Sequence, residues 1–139
     1  MPLGDADGQP IMKLFIADDN IAFRERLASI LSGIEGVEIV GAAVDVPGAI
    51  TSIRKSTPDA VILDLHMPGG SGFDVLPVIK SVDPAPKVII LTVGPRNEYQ
   101  SMSYAMGADY FFDKASDLKK MVRAIKHMAK SAEARRVKH

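Results

Sequence analysis

The 139-residue chain contains no cysteine. That absence excludes disulfides, thiolate nucleophiles and cysteine-ligated zinc or iron–sulfur centres, and it fits a cytoplasmic setting. Nor is there an apolar run near the roughly 20 residues needed to cross a bilayer, so no contact with a membrane is expected, and the N-terminus lacks the layout of a secretory signal. Net charge is also missing, because 17 Lys+Arg balance 17 Asp+Glu. What remains is an ordinary globular composition, 47% hydrophobic and 24% charged. It is long enough for one domain that buries a core without covalent or metal staples.

The balance of charge hides a separation. Residues 1–113 hold 8 Lys+Arg against 15 Asp+Glu, while residues 114–139 hold 9 against 2, giving −7 and +7. A basic tail can touch nucleic acid or an acidic partner. With no aromatic platform and no DNA-reading motif, it reads more simply as a solvated helix with a frayed end.

Along the chain, residues 1–11 are aperiodic and rich in Gly, Pro and Asp, as in a disordered leader. Met12 to Ala17 is a strand candidate running into Asp18-Asp19-Asn20. Phe23, Leu27, Ile30, Leu31 and Ile34 then recur at helical spacing, with Asn20 as N-cap and Gly36 as the turn behind. Val37 to Ala43 reads as a second strand. A short helix from Asp45 to Ser56 carries Val46, Ala49, Ile50 and Ile53 on one side, with Pro47 in its first turn. The run Ala60 to Leu63 lies between Pro58-Asp59 and a Pro-Gly-Gly turn and suits a short strand buried on both faces. Ser71 opens a helix through Phe73, Leu76 and Ile79, with Asp74 in a capping-box position and Pro77 predicting a bend or a shortened first half. Lys87 to Leu91 forms a strand ending at Thr92. The helix Arg96 to Met106 places Tyr99, Met102 and Met106 on a shared face before Gly107. Tyr110 to Phe112 is a strand closing at Asp113-Lys114. A last helix starts near Ser116 with Leu118, Met121, Val122, Ile125 and Ala129, and its apolar period fades beyond about Lys130.

Strand and helix thus alternate five times, which predicts an α/β fold: a parallel sheet with helices on both faces and right-handed crossovers. In such a sheet the first, third, fourth and fifth strands end on one rim, at Asp18-Asp19, Asp64, Thr92 and Lys114. Open α/β sheets place their sites at that rim. Asp64 alone could be a turn or capping carboxylate, and the whole group a scattered surface set. Read together, three carboxylates repel one another unless a cation sits between them. Oxygen ligands without His or Cys favour Mg²⁺, which keeps several waters and usually binds with phosphate oxygens. Lys114 and Thr92 suit phosphoryl oxygens, and a carboxylate in that company can act as nucleophile and form an acyl phosphate.

On Asp18-Asp19, the stretch Asp64-Leu65-His66-Met67-Pro68-Gly69-Gly70-Ser71-Gly72, Thr92, and Gly107-Ala108 followed by Phe111 and Lys114, the chain resembles a response-regulator receiver domain of bacterial two-component signalling. The resemblance covers roughly residues 12–130 and leaves 131–139 as a basic polar tail or the start of a linker. It implies a flavodoxin-like five-stranded sheet of order 2-1-3-4-5, and phosphorylation of Asp64 by a histidine kinase or a histidine phosphotransfer protein. It further implies Mg²⁺ ligation by Asp19, Asp64 and the backbone carbonyl of His66, with Asp18 acting largely through water. Lys114 would hold the phosphoryl group, and Thr92 would turn toward it after transfer.

Three positions depart from the family's usual pattern. Phe111 stands where an aromatic switch, often tyrosine, is found, so the switch would work by packing without a hydroxyl. Ala115 follows Lys114 where many relatives have proline and a cis bond; a non-proline cis bond costs about 2.5–4 kcal/mol, so this bond is either trans or strained. His66 lies two residues past Asp64, where relatives tune acyl-phosphate hydrolysis, although a plain exposed histidine serves as well.

The output surface is expected on the fourth helix, fifth strand and fifth helix, with Tyr99, Met102, Ser103, Tyr110 and the Lys119-Lys120-Arg123 group as candidates, and the same face is the one expected to carry any homodimer. No helix-turn-helix or catalytic segment follows residue 130. A stand-alone switch or phosphate relay is therefore favoured, with DNA binding only if a longer chain carries an output domain. Two readings compete. An aspartyl-phosphate hydrolase or phosphatase-like enzyme would need an Asp where His66 stands, and a non-phosphorylated scaffold pseudo-receiver would not need every acidic, Thr and Lys position filled.

Overall fold

The structure is a computed structural model that describes residues 12–137. The segment 1–11, expected as a leader, and the last two residues lie outside the described residues. Five strands make one parallel sheet: β1 (Met12–Ala17), β2 (Val37–Ala43), β3 (Ala60–Leu63), β6 (Lys87–Thr92) and β7 (Tyr110–Asp113). Their order is β2-β1-β3-β6-β7, the arrangement the alternation and the resemblance lead one to expect. Two-residue strands β4 (His66–Met67) and β5 (Gly70–Ser71) form a small antiparallel hairpin beside it. Its turn needs glycine at Gly69 and Gly70, where φ is +86° and +144°.

The central strands are apolar throughout because successive side chains point to opposite faces and both faces are covered. Phe15, Val61, Leu63, Val88, Ile90 and Phe111 pack with residues of α2 (Val46–Ser56) and α3 (Gly72–Lys80). Leu14, Ile16, Ile62, Ile89 and Leu91 pack on the other side with α1 (Ile21–Ser32) and α5 (Leu118–Val137). α4 (Arg96–Ala105) completes the first layer beside β7.

Helix starts follow the capping chemistry in the sequence. Asn20 accepts from the Phe23 amide at 2.9 Å. Asp45 accepts from Gly48 at 2.7 Å. Ser71 and Asp74 form the reciprocal box, with Phe73 N–H on Ser71 Oγ at 3.0 Å and Ser71 N–H on Asp74 Oδ2 at 2.9 Å. Pro77 does not interrupt α3, which runs all nine residues with the proline on its exposed side.

Two side chains fall on other faces than the periodicity suggests. Ile30 is 37% exposed, because the buried stripe of α1 narrows to Leu27 and Leu31. Met102 is 50% exposed, and Ser103 takes its place against the sheet. The inner face of α4 runs Tyr99, Ser103, Met106, an i, i+4, i+7 spacing that the larger Met102 obscures. α5 continues past Lys130 to Val137, carried by Ala, Glu, Lys and Arg, which favour helix without needing an apolar stripe. Among the described residues the cis peptide bond is Asp83–Pro84, so Lys114–Ala115 is trans. No helix among them is long and apolar enough to cross a membrane.

Candidate functional site

Register decides which side chains meet at the carboxyl rim. Ala17 pairs with Leu63, so Asp18 and Asp64 leave adjacent strands side by side. Thr92 pairs with Asp113, which sets Lys114 one residue beyond Thr92 on the neighbouring strand. Backbone bonds hold these exits: Asp64 N–H to Ala17 O at 3.0 Å, Asp18 N–H to Ala43 O at 3.0 Å, and Lys114 N–H to Thr92 O at 2.8 Å.

The five side chains converge. Lys114 Nζ lies 2.7 Å from Asp18 Oδ2 and 3.0 Å from Asp64 Oδ2. Thr92 Oγ1 donates to Asp64 Oδ1 at 2.8 Å and is itself approached by the Leu65 N–H at 3.4 Å. Asp64 Oδ1 also accepts from the His66 N–H at 3.0 Å. Oxygens of Asp18, Asp19 and Asp64 all lie within 4.8 Å of one another. Asp18 and Asp64 are buried, whereas Asp19 is exposed and leaves the cluster open on one side. Burial pulls the Lys114 ammonium down, but hydrogen bonds and charge from Asp18 and Asp64 outweigh it and hold the group above the ordinary lysine value. Lys114 is therefore a fixed cation.

One lysine does not neutralise three carboxylates. The donor set is all oxygen, free of His and Cys side chains, anionic in excess and open to water through Asp19, which fits a hard divalent cation such as Mg²⁺. Thr92 already faces Asp64, whereas the family resemblance places that turn after phosphoryl transfer. The physical reason is that a buried carboxylate needs donors, and the hydroxyl supplies one. Phe111 is 6% exposed and packed inward.

The ring of His66 is exposed, and its Nε2 sits 2.7 Å from the Val93 carbonyl. A carbonyl only accepts, so Nε2 carries the proton. The contact ties the loop after Asp64 to the loop after Thr92, with the Tyr99 ring 5.7 Å from the imidazole.

Three participants escaped the sequence reading. Phe23 is more than a core residue, since its ring lies 4.4 Å from Lys114 Nζ and gives the ammonium an aromatic face. Arg24 Nη1 donates to the Asp18 carbonyl at 3.0 Å. Asp117, buried to 5% exposure, accepts from Asp113 N–H at 2.9 Å and from Arg96 at 2.8 Å. Only Asp117 carried a signal in the sequence, as an acid just before a helix. Arg96 lies 21 positions from it, beyond any local pattern.

Comparison with known proteins bears on the family and the fold. The family model described as response regulator receiver domain matches residues 14–126. The chain is 32% identical over 111 residues to protein-glutamate methylesterase/protein-glutamine glutaminase 2 of Anaeromyxobacter dehalogenans, covering 80% of this chain but 32% of that protein. It is 28% identical to response regulator GacA of Pseudomonas aeruginosa, over 85% of this chain and 55% of that one. The chain thus spans about a third to a half of the length of these curated relatives. Among solved structures it is similar to the signal receiver domain of the response regulator NarL from Mycobacterium tuberculosis, with TM-score 0.78 and 28% identity over 88% of this chain and 98% of the other.

Proposed function

The chain belongs to the response-regulator receiver-domain family of bacterial two-component signalling, and on that premise we propose that it is a phosphorylation switch whose acceptor is Asp64. The observation that carries this reading is the carboxylate held at once by Lys114 at 3.0 Å and Thr92 at 2.8 Å on a strand-end rim. An Asp64 oxygen attacks the phosphorus of a phosphohistidine on a histidine kinase or histidine phosphotransfer protein. The new P–O bond forms an acyl phosphate as the P–N bond breaks, and the electron pair stays on the donor's imidazole nitrogen. Lys114 and the Thr92 hydroxyl then face phosphoryl oxygens, where a fixed cation and a donor stabilise charge without rearranging solvent. Asp19, Asp64 and the His66 carbonyl would hold Mg²⁺, with Asp18 acting through water. When bound, the ion would neutralise charge on the phosphoryl oxygens.

Water attack on the acyl phosphate returns the resting state, so the chain assists its own dephosphorylation without being a conventional enzyme. The change is read at the face of α4, β7 and α5, where Met102, Tyr110, Lys119, Lys120 and Arg123 are available to a partner protein, a second copy or an output domain, whereas Tyr99 packs against the core and Ser103, expected on this surface, is fully buried. Phe111 and Thr92 form the switch, acting by packing because Phe111 has no hydroxyl. The setting is cytoplasmic. A hydrolase reading gains no support from His66, whose Nε2 is engaged by Val93.

The test uses labelled acetyl phosphate with and without Mg²⁺. Wild type should take up acid-stable, hydroxylamine-labile label only with the ion, and Asp64→Asn none. Multiple turnover of phosphomonoesters by wild type would favour the hydrolase instead.

A further inference from the structure

Arg96 is in the wrong place by local rules. It is the first residue of α4, where the positive end of the helix dipole disfavours a cation. The preceding Pro95 gives no side-chain cap, and the one buried residue of α4 is Ser103, whose hydroxyl has no partner. α4 is thus lightly anchored along its length, and a locally unfavourable charge at its start calls for a tertiary reason.

Asp117 supplies one. Arg96 Nη1 meets Asp117 Oδ2 at 2.8 Å, and the same oxygen accepts the Asp113 N–H at 2.9 Å. The Asp117 carboxylate is 6% exposed, a burial that costs stability unless a charge and donors answer it. Rather than reaching forward to cap α5, it turns back to the residue before Lys114. The Asp113 N–H, then Arg96, hold this carboxyl below its ordinary value against burial. Lys120 is a weaker neighbour at 3.9 Å. Because Lys114 N–H bonds Thr92 O at 2.8 Å, the ion pair closes a circuit through the two loops that face Asp64. Phe111 lies inside it, with the Arg96 guanidinium 6.0 Å above the ring.

We propose that the Arg96–Asp117 pair is a strap that transmits movement of the Lys114 loop to the start of α4, alongside the packing of Phe111. Both are positioning residues, and the proposal rests on the phosphoacceptor reading above. It predicts that phosphoryl chemistry and the α4 response can be separated by one substitution.

Backbone amide NMR of the whole chain tests this, with beryllium trifluoride plus Mg²⁺ as phosphoryl mimic. In wild type the mimic should shift signals at Asp64, Lys114 and Gln100–Ala105. In Arg96→Gln the shifts at Asp64 and Lys114 should persist and uptake from acetyl phosphate should be unchanged, while the α4 shifts are lost. Asp117→Asn, which keeps an acceptor for Asp113, should behave alike, and Arg96→Lys should restore the α4 response. An undiminished α4 response in Arg96→Gln overturns the strap alone, as does loss of phosphoryl uptake in that variant. A wild type that shows no shift at Asp64 overturns the phosphoacceptor reading and the strap with it.

Discussion

At the edge of the sheet where the strands begin, Lys80 reaches Asp109 at 2.7 Å; at the edge where they end, Lys114 reaches Asp18 at 2.7 Å and Asp64 at 3.0 Å. The local contacts are similar, but the charge balance is opposite. Asp109 is a single carboxylate met by Lys80, by Lys87 at 3.8 Å and by the Val88 N–H at 2.8 Å, so every demand is answered within the protein. Lys114 pairs with two of three carboxylates, and Arg24 nearby is spent on the Asp18 backbone carbonyl. The first arrangement joins α3, β6 and β7 and needs nothing further. The second keeps an excess of negative charge, which a bound cation would balance. Structure and site are distinguished here by what the surroundings leave unmet.

The largest expected difference between the two edges is in chemistry. Asp64→Asn should abolish phosphoryl uptake from labelled acetyl phosphate while holding or raising the melting temperature, since it removes like-charge repulsion. Asp109→Asn should leave uptake intact. Loss of uptake in Asp109→Asn would erase the contrast. Next, Lys114→Met should slow phosphoryl uptake by about 10²-fold, the usual scale for one preorganised charge-stabilising donor. Lys80→Met should not slow it, as stopped-flow mixing can show.

Cation dependence sharpens the comparison further. Mg²⁺ at about 100 times its Kd should stabilise wild type by about 2.7 kcal/mol in urea unfolding. That gain should vanish in Asp19→Asn and survive in Asp109→Asn. For Asp109→Asn itself, a loss of about 1–3 kcal/mol is expected in the same assay from the broken charged hydrogen bonds.

Smallest is the pH dependence. At Asp109 burial opposes ionisation, but the hydrogen bonds of Lys80 and Val88 and the charges of Lys80 and Lys87 prevail and hold the carboxyl below its ordinary 3.8. Its stabilising effect is therefore complete above the ordinary value and lost as pH falls through the lowered one. For Lys114, held above 10.5, the effect is complete below that value and lost as pH rises through the raised one. Urea midpoints against pH should show a shallower acid limb in Asp109→Asn and a shallower alkaline limb in Lys114→Met.

The carboxylate edge was legible in the sequence because each of its residues sits at the end of an apolar strand, and parallel pairing brings those ends together whatever the loops do. The balancing edge was not, since Lys80 and Asp109 are 29 positions apart and each has a sufficient local reading, a cation ending α3 and an acid in the turn before β7. Helix faces were read less well than strands. Period two leaves little choice of face, whereas Ile30 and Met102 each lie one position from the buried stripe, and only packing decides between neighbours. The β4–β5 hairpin is too short to carry any period. The strap between Arg96 and Asp117 violates a helix-terminus rule, and that violation is the trace a sequence can hold of such a contact.

If Asp64 accepts a phosphoryl group as proposed, the donors around it set how far the site has to change. Thr92 and Lys114 contribute an O–H and an ammonium to the resting carboxylate, and a transferred phosphoryl group asks for the same two donors a short distance away. Beyond the divalent cation, no further donor would have to be recruited, and none would have to reverse its polarity. On the phosphoacceptor reading, the resting carboxylate already holds the two donors that its modified form would use.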